Sequence, residues 1–508
     1  MLAAAALFVA GCYKVKPHGY RELSPITINV PSDTININLG ETLTYTGLDI
    51  VSAKDVTFQW AYGAPVAGSS IADHKMESVE VISESRTIDY KFPRVGAFIL
   101  RLRVDNGESI SFRYFTLNVN SGYDEGVAIL CNDEEGNSSL TFVKTLTSAD
   151  IAAGSQQVFS NIFSVDGRTL KNGTALHMGH NTYGGETFSG FLIATDDEDG
   201  TIYQMNCKTF DLYLMTRMAD YGTHCVEFGG EYAEDKASFG SFFRTADGRV
   251  FRYDMNGGFL NDMSDIIPFK VDRIIPAITK GSAATAKSTR TPFFFNAETV
   301  GTRKTSSAGV RTLNEDGWEV VNVGMTRSSG GYPVNVLFRD KSDPTSYKIK
   351  CSSTTFSSWA TTRLKDENGQ DVIDENGSTI TVPVEHTFRT SSLNMDRNSK
   401  IISSLQSSDA YYTYGNAIYR WNLISAPGTR PAVTVPEGEI IRDIAMNHLG
   451  RTSTAGEDKL YVATYNPSRS GQHKGSLYVY SFTDDSLIAK YEGICDDPAS
   501  VIYKYRIN

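Results

Sequence analysis

An all-β architecture, an N-terminal antiparallel sandwich followed by a β-propeller, is the fold predicted by this 508-residue sequence. Three observations predict it. Short segments between residues 28 and 120 alternate apolar and polar side chains, with Gly, Asp and Asn turns at roughly 8 to 12 residue spacing, the mark of antiparallel sheets. From residue 121 to 508 a hydrophobic strand, an acidic or glycine turn and a second aromatic strand recur as one unit, with the period of roughly 40 to 50 residues typical of propeller blades. The composition, 21% charged and 40% hydrophobic, is that of a globular chain with full cores.

The N-terminus comes first. Residues 1–11 form a short apolar run ending in Val9-Ala10-Gly11, and Cys12 comes next. At about ten apolar residues the run is too short to span a bilayer, which takes roughly 20, so it reads as a cleavable export signal. The small Ala10 and Gly11 followed by a thiol resemble a bacterial lipobox, which makes Cys12 the expected site of lipidation. No Lys or Arg precedes the run, so a longer N-terminus is expected. Residues 12–27 carry two prolines and no amphipathic period, and read as a tether.

Residues 28–120 supply the sandwich. Its expected strands include Ile35–Leu39, Leu43–Thr46, Val56–Trp60 and Phe98–Val104. The segment from Tyr90-Lys91-Phe92 through Gly96 to Asp105-Asn106 resembles the closing half of a PKD-type domain, an immunoglobulin-like sandwich. The opening half departs from that family, since its Trp-Asp-Phe-Gly-Asp-Gly turn appears here as Trp60-Ala61-Tyr62-Gly63-Ala64-Pro65. Trp60 is therefore expected in the core rather than at a sugar-stacking platform.

Residues 121–508 supply the propeller. Six expected hairpins pair Val127–Cys131 with Leu140–Val143, Phe191–Thr195 with Thr201–Met205, and Ser241–Thr245 with Arg249–Tyr253. The others pair Val334–Phe338 with Tyr347–Lys350, Ala410–Tyr414 with Ala417–Trp421, and Lys459–Thr464 with Ser476–Tyr480. The gap after Tyr253 has room for one more unit near Pro292-Phe293-Phe294-Phe295, which brings the blade count to about seven, with six or eight also fitting. One four-stranded sheet cannot bury both faces, so such units stack side by side.

Chemistry is sparse. The sequence holds no GxSxG elbow, HExxH, Walker loop or GxGxxG, and we expect no enzyme, cofactor or metal. His177-Met178-Gly179-His180 has metal-like spacing, yet lies in an apparent loop with no third ligand and reads as a solvated pair. Asp196-Asp197-Glu198-Asp199-Gly200 lacks the terminal ligands of a calcium loop and reads as a turn. The doubled Asp366-Glu367-Asn368-Gly369 and Asp374-Glu375-Asn376-Gly377 reads as a projecting hairpin inserted between blades. Cys131, Cys207, Cys225, Cys351 and Cys495 lack any CxxC spacing and read as buried free thiols. A net charge of -11 argues against a nucleic-acid partner.

Lipobox, PKD-like segment and propeller together resemble the PKD-like family lipoproteins of Bacteroidota. The closing segments Leu460–Pro467 and Gly475–Tyr480 share in that likeness. The resemblance implies a lipid-anchored, surface-exposed outer-membrane protein that serves a SusC/SusD-like uptake system as a non-enzymatic binding component for glycans or peptides. It carries over no ligand-binding residue. Lys14 and Lys16 come after Cys12 where surface lipoproteins of this group carry acids, so display on the outer face rests on the family alone. Two other readings stay open: an envelope protein-interaction scaffold, and a propeller glycosidase or lyase with carboxylates converging on its channel.

Overall fold

The computed structural model describes residues 23–154, 156–162, 169–183, 186–233, 241–279, 292–303, 309–325, 333–353, 356–403, 409–447 and 459–505. Cys12, its lipobox and most of the tether lie outside the described residues. The chain divides into two compact units, the first ending at Gly122 and the second starting at Tyr123.

In the first unit five strands form one sheet in the order Thr34–Asn38, Ile110–Asn120, Gly96–Asp105, Thr57–Gly63, Glu80–Ser83. The first two run parallel and the rest antiparallel. Two short antiparallel pairs, Ile26–Asn29 with Asp49–Ser52 and Thr42–Tyr45 with Ile88–Lys91, accompany it. Ile26 and Thr27, counted with the tether in the sequence, therefore belong to a strand. Alternation on these strands puts one face into a core around Trp60, which is fully buried. Phe115 stacks on its ring at 5.8 Å.

Among the described residues, the second unit contains seven sheets built on four antiparallel strands each, numbered here along the chain. Every hairpin expected from the sequence is the central pair of one of these sheets. Gly126–Asn132 with Asn137–Lys144 is the pair in sheet 1, and Phe293–Phe295 with Thr299–Arg303 fills the place left open for sheet 4. Side chains on both faces of these hairpins are buried, as along Gly126–Asn132 and Gly475–Ser481.

Hydrophobic clusters fill the space between successive sheets. Separate clusters join sheets 2 and 3, 3 and 4, 4 and 5, 5 and 6, and 6 and 7, and the largest joins sheets 7, 1 and 2. The C-terminal strand Asp497–Lys504 pairs antiparallel with Gly126–Asn132, so the last strand of the chain completes the first sheet. That pairing ties the two ends of the unit together. The doubled Asp-Glu-Asn-Gly segment does project, through Thr361–Arg363 paired with Thr381–Pro383, but it is inserted within sheet 5 rather than between sheets. Its turns differ too. Asp366 and Asp374 accept backbone N–H bonds from two and four residues on, while Gly369 and Gly377 take φ of +77° and +80°, which a side chain would strain.

Candidate functional site

The seven first-position strands are Gly173–Tyr183, Cys225–Ala233, Arg273–Ile275, Trp318–Met325, Ile401–Ser403, Ile440–Met446 and, in sheet 1, the C-terminal Asp497–Lys504. Residues from all seven line one cavity of about 410 Å³. That volume falls within the usual range of small-molecule sites, roughly 300 to 1,000 Å³.

Among the described residues six of these strands pair along their sheet on one edge only, and Cys225–Ala233 gains a second partner, Ala277–Thr279, only from Glu231 onward. The remaining open edges need partners for their N–H and C=O groups. Neighbouring sheets supply them. The N–H of Leu176 donates to Ser500 Oγ (3.2 Å), that of Ile274 to Glu227 Oε2 (3.2 Å), that of Met325 to Ser403 Oγ (3.2 Å) and that of Val501 to Asp443 Oδ2 (2.8 Å). A local device aims these side chains. In five of the seven strands the register skips one residue, at Thr174, Val226, Val321, Arg442 and Ala499. A skipped residue is a β-bulge, which bends the strand and re-aims the side chains beyond it. Glu227, Asn322, Asp443 and Ser500 each come directly after a bulge, and each is a buried or half-buried polar group that holds backbone.

Charges concentrate among the same residues. Glu227 accepts from Arg273 Nε (2.8 Å) and Arg244 Nε (3.3 Å), besides the N–H of Ile274. Asp443 accepts from Lys400 Nζ (2.5 Å) and from the N–H groups of Ile444 (2.9 Å) and Val501. Arg442 forms a two-pronged pair with Asp497, both contacts at 2.7 Å. The rest of the lining is largely apolar and includes Met178, Ile275, Met325, Ile402 and Met446.

His177 also lines the cavity, and here the sequence expectation is corrected. Both histidines of the HxxH lie in the strand Gly173–Tyr183, not in a loop, and His177 is buried rather than solvated. Burial pulls its pKa down to about 4, and its ring stacks on Phe228 at 5.5 Å. Positions three apart on a strand fall on opposite faces, so the spacing that suits a metal in a helix or loop does not converge here. The side chain of His180 lies outside the described residues.

The other singled-out residues have structural work. Asp197, in the turn between the second and third strands of sheet 2, accepts from the N–H groups of Asp199 and Thr201 and from the Tyr203 hydroxyl. Asp196 pairs with His224 at 3.0 Å, and Asp199 with Arg217. Among the described residues no group of three or more His, Cys, Asp or Glu is placed to hold a metal ion. Cys131, Cys207, Cys225 and Cys495 are buried free thiols, while Cys351 is half-buried. Burial pushes the Cys207 thiol up to about 12 and the Cys131 thiol up as well, and the Cys131 thiol donates to the carbonyl of Ile129 (3.5 Å).

The cavity residues themselves were missed in the sequence. Arg273–Ile275 and Ile401–Ser403 are three residues long, too short for alternation to show. The available signal was weaker: a polar residue, then an apolar and a small one, as in Glu227-Phe228-Gly229, Asn322-Val323-Gly324 and Asp443-Ile444-Ala445.

No family model and no curated protein matches the chain. Solved structures do. A quinoprotein alcohol dehydrogenase-like protein from Bacteroides thetaiotaomicron is 13% identical, over 94% of this chain and 99% of that one, with a TM-score of 0.39. The β-propeller domain of Cps50 (Swd1) from Myceliophteria thermophila is 10% identical over 66% and 90%, with a TM-score of 0.37. A DUF4784 family protein from Bacteroides caccae is 8% identical over 95% and 99%, with a TM-score of 0.27. The chain is thus all-β with propeller-like neighbours, two of them Bacteroides proteins, and at these scores none of the likenesses bears on activity.

Proposed function

We propose that this protein is a non-enzymatic binding lipoprotein whose second unit, a closed seven-bladed propeller, holds its ligand in the central cavity. In this reading the first unit is a PKD-like spacer, and the lipid on Cys12 anchors the chain in the outer membrane, beside a SusC/SusD-like transporter whose glycan or peptide cargo it captures. One observation carries the binding role. Seven separate strands converge on a single cavity of about 410 Å³ with a charged part and an apolar part, the composition of a site that orients a small ligand. The closed ring is supported by the pairing of the last strand with the first sheet and by the clusters between successive sheets.

The same geometry speaks against the glycosidase or lyase reading. Such an enzyme needs carboxylates free to move protons, whereas Glu227 and Asp443, which line the cavity, each already accept three hydrogen bonds. The test uses the full lipidated chain in detergent. It is captured from outer membranes, its co-purifying proteins are identified, and it is then screened against glycan and peptide libraries by thermal shift. A co-purifying transporter with a saturable ligand supports the reading. A transporter without any ligand favours the scaffold, and a lone protein that binds nothing overturns both.

A further inference from the structure

We propose that the charged part of the cavity seats an oxyanion, the carboxylate or phosphate of a small ligand, between Arg273 and Lys400. The inference rests on the cavity-binding reading and names the chemistry of its ligand. Hydrogen-bonding capacity is the first ground. The carboxylates of Glu227 and Asp443 each already accept three of the roughly four hydrogen bonds they can take, so the acidic groups have little left to offer a ligand. The cations do. Among the described residues Arg273 uses Nε on Glu227 and Nη1 on the carbonyl of Asn398, which leaves Nη2 to donate. Lys400 spends one of its three N–H groups on Asp443.

Placement is the second ground. Arg273 and Lys400 both line the cavity, and Arg273 Nη1 reaches the carbonyl of Asn398 (2.9 Å), two residues before Lys400 in the chain. Charge is the third. Arg244, Arg273, Lys400 and Arg442 line the cavity against Glu227 and Asp443. Asp497, outside the lining, answers Arg442, and among the described residues one positive charge remains in excess within a protein of net charge -11. A neutral sugar would use the donors and leave that charge unanswered. An oxyanion uses both, and charge-assisted bonds are about twice as strong as neutral ones. The apolar part of the cavity, with Met325 and Met446, would receive the uncharged remainder.

Titration calorimetry on the full chain tests this with glucuronate, galacturonate and glucose 6-phosphate against neutral glucose and galactose. The expected result is that an acidic probe binds at least about tenfold more tightly than its neutral counterpart, and more weakly as salt rises. The carboxylate and phosphate arms then tell which oxyanion is preferred. Lys400→Met should lose about tenfold of that affinity while Lys400→Arg keeps it; the Met variant still leaves Asp443 held by two backbone N–H groups. Should Lys400→Met fail to fold, the salt dependence of the unaltered protein decides alone. Equal binding of neutral and acidic probes without salt dependence overturns the oxyanion and leaves the cavity reading standing. Ligands that bind but are not displaced by blocking the cavity with Ile402→Trp overturn the cavity reading itself.

Discussion

The central hairpins and the cavity-lining strands of the second unit obey different rules. A central hairpin such as Lys459–Tyr465 with Gly475–Ser481 finds its partner strand within a few residues and buries nearly every side chain against adjacent sheets. A cavity strand such as Ile440–Met446 is bulged, carries Arg442 and Asp443, and lends the Asp443 carboxylate to the N–H of Val501 on the open edge of another sheet's strand. The hairpins therefore carry stability through apolar area, and the cavity strands through polar groups that cannot be removed one partner at a time. Buried polar networks are costly to leave half-made, which is the physical content of the difference.

Four experiments break or sharpen this contrast. The largest effect is expected in a hairpin: Phe191, fully buried and edge-on to Phe210 at 4.9 Å, should cost about 3 to 5 kcal/mol when changed to Ala, read by urea denaturation. A loss below about 1 kcal/mol would show that the hairpin core is not where stability resides. Next comes Asp443→Ala, which strands two backbone N–H groups and the Lys400 ammonium, and should cost about 2 to 3 kcal/mol. Val501→Ala, which keeps the N–H bond to Asp443, serves as the apolar control.

Acid is the third probe. The pKa of His177 is lowered in the folded state from 6.5 to about 4, so the unfolded chain takes up the proton first as pH falls. Nothing is lost above pH 6.5. Between pH 6.5 and about 4 the unfolded state binds one more proton, and the folded state should lose about 1.4 kcal/mol by pH 5.5. His177→Gln should flatten that part of the pH–stability curve, and an unchanged slope would remove His177 as its cause. The smallest effect belongs to the exposed insertion: Gly369→Ala, at φ +77°, should cost about 1 kcal/mol and leave cavity binding intact.

Legibility followed the same divide. Residues such as Phe191–Thr195 and Ala410–Tyr414 revealed themselves by alternation and by turns such as Asp196–Gly200, both local signals. The core position of Trp60 was legible as well, and the structure buries it completely. The cavity was not, because His177, Arg273 and Lys400 acquire their role from strands far away in the chain. His177 looked like half of a solvated pair only because the strand around it had not been recognised.

By itself the sequence determined that this chain is all-β, where six of the seven central hairpins lie and where there is room for the seventh, and that a separate set of β-strands precedes them. Short-range pairing and period-2 burial leave their marks within a dozen residues. Only the tertiary structure decided that Asp497–Lys504 would complete the sheet begun at Gly126, and that Glu227, Arg273, Lys400 and Asp443 would meet around one cavity. Their partners belong to different sheets, and a hydrogen bond between distant segments leaves no period in a sequence.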